Sequence, residues 1–157
     1  GATELDVCPN YVAIKSGVYD FVAKEMDMML KEAGDKVLVK IIYEQGLFTD
    51  AEKSIVLKII KNSGGCVGVN FYPPFLTNRD KCGIDDIVKH IEHFMELGGE
   101  DNIGIGADFD GVDCLPEGIS GVEDMYKIFD RLLARGYTEE QAEKISHRNF
   151  ERIFENA

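Results

Sequence analysis

The chain has 157 residues and 45% hydrophobic content, enough to bury a real core, and a length that favours a single domain of residues 1-157. Its 17 Lys and Arg against 29 Asp and Glu leave a formal net charge of -12, which repels duplexes and anionic bilayers and sets aside nucleic acid and membrane surfaces as partners. No apolar run approaches the roughly 20 residues that span a bilayer, and the first residues lack a basic-then-apolar signal pattern.

Four cysteines, Cys8, Cys66, Cys82 and Cys114, lie far apart with no CxxC pair, so neither a zinc knuckle nor a disulfide framework is expected. Cys8 and Cys66 fall in apolar runs and are expected to act as small buried hydrophobes. These features predict reduced thiols and a soluble protein of cytoplasmic or recombinant origin.

Glu4 to Asn10 reads as a short strand stopped by Pro9, and Val18, Phe21, Val22, Met26, Met29 and Leu30 then recur at helical spacing up to Gly34. Val37 to Tyr43 is nearly all apolar and β-branched, which predicts a second strand. Thr49-Asp-Ala-Glu52 supplies an N-cap and capping box for a helix to about Asn62. A third strand is predicted over Cys66 to Tyr72, closed by Pro73-Pro74, with an amphipathic helix from Ile84 to near Gly98-Gly99. Ile103 to Asp108 is a glycine-rich fourth strand, followed by helical stretches at about 122–135 and 138–154.

Strands apolar on both faces, alternating with helices, require a parallel sheet covered by helices. The expected fold is α/β, with four βα units of TIM-barrel type forming a half barrel. A flavodoxin-like open sheet is the alternative. A whole (βα)8 barrel needs on the order of 250 residues, so unpaired strand edges predict a homodimer.

Five blocks then stand in order: Gly64 to Phe75, Asp85 to His93, Gly104 to Gly111, Leu115 to Gly118, and Arg148 to Arg152. Through them, residues 63–157 resemble the C-terminal part of the membrane (renal) dipeptidase family, peptidase family M19. The resemblance implies a zinc hydrolase, with two zinc ions held by an HxD pair, a bridging Glu and two further His on strands this sequence lacks. It also implies that Asp108 is the acid at the end of the last strand that contacts substrate and bridging water.

Residues 1–62 resemble instead deoxyribose-phosphate aldolase, another (βα)8 family, through Gly1 to Val7, Ala13 to Asp20 and Val39 to Asp50. That family's Schiff-base lysine needs a strand missing here. Asp6 and Lys40 match its positions for proton transfer and for a nearby charged partner. Charges on adjacent strands are costly unless paired, so an Asp6 to Lys40 ion pair is the simpler expectation.

Three histidines remain. His90 and His93, at i and i+3 with Asp86 one turn before His90, could capture zinc or nickel, or could be ordinary surface residues of a helix. His147 begins no ligand pattern, and Asp110 and Asp113 read as turn residues. The glycines around Gly104 form neither GxxxxGK nor a helix-opening GxGxxG, so close backbone packing explains them better than a phosphate cradle. The expectation is a recombined or designed (βα)4 half barrel without a complete active site, with no native catalysis and no cofactor. A metal-dependent, dipeptidase-like hydrolase using zinc is the alternative, and an aldolase-like lyase comes third.

Overall fold

The computed structural model describes residues 2–34, 37–43 and 47–155. The Glu44-Gln45-Gly46 part of the aldolase-like block lies outside them. The chain divides into two compact units, Gly1–Gly65 with Arg152–Ala157, and Cys66–Glu151.

The first unit holds β1 (Glu4–Val7), α1 (Tyr11–Lys15), α2 (Tyr19–Ala33), β2 (Leu38–Ile41) and α3 (Asp50–Asn62). β1 and β2 pair in parallel with Asp6 opposite Lys40, and Ile14, Val22, Met26, Val56 and Ile60 form the buried interior. The capping box opens α3 as expected: Thr49 Oγ1 accepts from the Glu52 amide and Glu52 Oε2 accepts from the Thr49 amide at 2.7 Å. The short helix α1 is absent from the sequence reading. Asn10 starts it by accepting the Ala13 amide at 2.9 Å, a capping role that follows directly on Pro9. Cys8 is exposed, against the expectation of burial, because β1 has only half-buried or exposed positions.

The second unit holds β3 (Val67–Val69), α4 (Pro73–Leu76), α5 (Ile84–Glu96), β4 (Ile103–Ile105), α6 (Tyr126–Ala134), α7 (Glu139–Glu143) and the start of α8 (Asn149–Glu155). β3 and β4 pair in parallel, with Gly68 opposite Gly104. Their hydrophobic core draws on Phe71, Ile87, Ile91, Ile103, Ile128 and Leu132, all fully buried. Pro73 and Pro74 begin a helical turn here, since proline at the first positions of a helix lacks only a donor that would have no partner.

The described strands form two two-stranded parallel sheets, shorter than the strands read from the sequence. Glycines let β3 and the segment after β4 approach closely. A Cβ on Gly68 would lie 3.0 Å from the Gly106 Cα, and one on Gly104 would lie 2.4 Å from the Phe150 ring. Two backbones therefore approach closely under one aromatic ring, as the glycine pattern predicted. Asn149, beside that ring, is buried; its Nδ2 donates to the Glu100 carbonyl at 2.8 Å and the Ile103 carbonyl at 2.7 Å. It satisfies two acceptors at the entry to β4, where an unpaired carbonyl would be costly.

Asp86 organises the other end of the unit. Its buried carboxylate accepts from the Gly83 amide at 3.0 Å, pairs with Arg79, and has Lys89 at 3.6 Å. Burial alone would push its titration up. The Gly83 hydrogen bond, the Arg79 charge and hydrogen bond, and Lys89 outweigh it, and the carboxyl sits below its ordinary range.

Two outcomes follow from these contacts. Gly104→Ala should destabilise the chain by about 1–3 kcal/mol through the Phe150 clash, with partial recovery in Gly104→Ala/Phe150→Leu, read by urea denaturation. Asp86→Asn should cost about 1–3 kcal/mol at pH 7. Because the folded carboxyl is depressed, that deficit should hold above its unfolded value of about 3.9 and shrink as pH falls through the folded one.

Candidate functional site

Carboxylates at the C-terminal ends of parallel strands are where barrel chemistry is placed, and Asp108 lies three residues past β4. It is exposed, and among the described residues it is the one non-glycine residue with positive φ, at 59°. Asp tolerates this left-handed region better than most side chains, yet the conformation has a cost and persists where surroundings hold it.

Those surroundings are local. The Gly111 amide donates to the Asp108 carbonyl at 3.0 Å, closing a turn through Phe109 and Asp110. A Cβ on Gly111 would lie 2.3 Å from Asp108 Oδ1, so glycine there makes room for the carboxylate. Asn70, just past β3, donates from Nδ2 to Asp108 Oδ2 at 3.2 Å.

Backbone pairing continues beyond the strands. The Gly106 amide donates to the Val69 carbonyl at 3.1 Å and the Phe71 amide to the Ala107 carbonyl at 3.3 Å. Phe71 and Phe109 meet edge to face, ring centroids 5.8 Å apart. The carboxylate thus stands at the exposed end of a rigid, dry support. Asp110 lies in the turn and Asp113 in the loop after it, both exposed.

Sequence reasoning named Asp108 and missed Asn70 and Gly111. Asn70 was hidden because the sequence placed it inside a longer strand, Cys66 to Tyr72, whereas β3 ends at Val69. Gly111 had no readable signal, because only the direction of the Asp108 side chain shows why a Cβ is excluded.

In the first unit, Lys40 Nζ lies 3.2 Å from Asp6 and 3.0 Å from Glu4, all three side chains about half exposed. The hydrogen bond that Lys40 donates to Glu4, then the one it donates to Asp6, raises the Lys40 titration above its ordinary value. A Schiff-base nucleophile needs the opposite, a lysine easily deprotonated.

The histidines are engaged separately. His90 Nε2 is 2.9 Å from the Leu76 carbonyl, His93 Nδ1 is 3.9 Å from Glu96, and His147 Nδ1 is 2.6 Å from Ser146 Oγ. Asp86 is held by Arg79 and Gly83. Among the described residues, no three His, Cys, Asp or Glu side chains gather as a metal-binding group.

The family model for membrane dipeptidase (peptidase family M19) matches residues 51–157, more than half of the chain. An uncharacterized dipeptidase of Schizosaccharomyces pombe is 37% identical over 101 residues, covering 63% of this chain and 25% of that protein. A metallopeptidase from Rhodobacter sphaeroides, solved with a phosphinate mimic of the dipeptide L-Ala-D-Ala, is 29% identical with a TM-score of 0.59, covering 77% and 31% of the two chains. An amidohydrolase from Pseudomonas aeruginosa is 30% identical with a TM-score of 0.61, covering 71% and 42%. The chain thus spans less than half the length of each of these relatives, and its short parallel strands and covering helices fit a partial barrel. The chain belongs to the membrane dipeptidase family, peptidase family M19.

Proposed function

We propose that the chain carries the substrate-facing carboxylate of a dipeptidase-type hydrolase on a (βα)4 half barrel that lacks a complete catalytic set. The observation that carries this reading is Asp108 itself, strained, exposed and supported from both strand ends. An ionised carboxylate there accepts hydrogen bonds from the ammonium or amide of a short peptide. The Rhodobacter relative, whose ligand is a dipeptide mimic, makes L-Ala-D-Ala the natural probe.

The family's metal chemistry, a metal-held water attacking a peptide carbonyl, needs an acceptor set that the described residues do not bring together. Among the described residues, Asp108 has no His or Glu partner at hydrogen-bond distance, and His90, His93 and Asp86 face other groups. The residues present do not fit the two-zinc centre. A complete zinc dipeptidase is the second reading, favoured by family membership alone.

Residues 1–50 lie outside the family match. Their likeness to an aldolase supports a composite origin, recombined or designed, with Asp6 and Lys40 as vestiges of the aldolase site. Unpaired parallel edges of short sheets support self-association into a homodimer.

Titration with L-Ala-D-Ala should show saturable binding that Asp108→Asn weakens about tenfold or more, the scale of a charge-assisted hydrogen bond. Peptide hydrolysis should stay at the buffer rate with or without added zinc. Zinc-dependent turnover abolished by Asp108→Asn would establish the complete dipeptidase instead, and binding indifferent to that substitution would remove Asp108 from the site. Treatment with an aldehyde and borohydride, read by peptide mapping, should modify Lys40 no faster than the other exposed lysines; a selective adduct at Lys40 would revive the lyase reading.

A further inference from the structure

We propose that Asn70 is a positioning residue that aims the Asp108 carboxylate, an assignment that rests on the reading of Asp108 as the substrate-facing acid. The orientation of the Asn70 amide is fixed by chemistry. Its Oδ1 accepts the Tyr72 backbone amide at 2.7 Å, and only the oxygen of a side-chain amide can meet an N–H donor. The Nδ2 end is thereby turned away from the Tyr72 amide and towards Asp108 Oδ2, 3.2 Å away.

Both partners stand on anchored backbone. Ladder hydrogen bonds flank Asn70 at Val69 and Phe71, and Phe71 is fully buried. Asp108 sits between Ala107, bonded to Phe71, and Phe109, packed on Phe71. The donor therefore reaches the carboxylate from a fixed direction. It holds one oxygen and leaves the remaining lone pairs to a ligand, the preorganisation that a binding site on rigid elements requires.

Asn70→Asp separates this role from a purely local one. The variant keeps an oxygen for the Tyr72 amide, so the turn survives, but it sets a second carboxylate against Asp108. At that spacing, repulsion in water is worth about a tenfold change in an equilibrium constant. At low salt, the full chain bearing Asn70→Asp should show an unfolding constant raised about tenfold. Asn70→Asp/Asp108→Asn, which restores a donor facing an acceptor with the ends exchanged, should return it to within about threefold of the starting chain. Asn70→Leu, which keeps the volume without polar atoms, should weaken L-Ala-D-Ala binding several-fold while Asp108 is intact.

A neutral Asn70→Asp with no recovery in the exchanged pair would overturn the proposal, and dipeptide binding retained in the starting chain would then leave the Asp108 reading standing. Recovery in the exchanged pair without any dipeptide binding would instead remove the Asp108 reading and leave the Asn70 contact established.

Discussion

The close approach of two backbones at Gly68 and Gly106 is the constraint on which the second unit depends. It brings β3 against the backbone that follows β4, and the Phe150 ring fills the space that a Cβ on Gly104 would need. Ladder pairing then runs on to Phe71 and Ala107. Asn149 holds the entry to β4 from below. Asn70 and Asp108 follow at the C-terminal end of the pair, where Asn70 Nδ2 reaches Asp108 Oδ2 at 3.2 Å. Close backbone packing along two short strands thus supports the polar pair that follows them.

Much of this was legible in the sequence, for definite reasons. Thr49 and Glu52 announced α3 because a capping box is a local exchange of two hydrogen bonds, complete within four residues. The helix from Ile84 was clear from its apolar periodicity, and the glycines of β4 were read as close packing. Asp108 was singled out through resemblance alone, since no periodicity marks an exposed acid after a strand. What stayed hidden depends on contacts distant in sequence. Asp86 looked like one ligand of a weak metal site, yet it is buried and bound to Arg79 and Gly83. Cys8 looked like a buried hydrophobe because its neighbours are apolar, but a two-stranded sheet leaves that position in solvent. Proline read as a stop signal concealed both α1, which follows it, and α4, which it begins.

Family membership and site chemistry give different answers here, and the difference is physical. The match over residues 51–157 shows the family, and Asp108 is the acid proposed to serve it from the end of β4. The donor set that would hold metal is not assembled by the described residues: His90 meets a backbone carbonyl, His147 a serine hydroxyl, and His93 lies 3.9 Å from Glu96. Function resides in sites grafted on folds, so part of a fold brings part of a site.

Titration calorimetry of zinc into the chelator-treated chain tests this division most directly. No stoichiometric site should appear, and any weak heat should be unaffected by Asp108→Asn. One or two tight equivalents of zinc, lost on replacing Asp108 or His90 and His93, would show that the chain assembles a metal centre after all and would contradict the half-site reading.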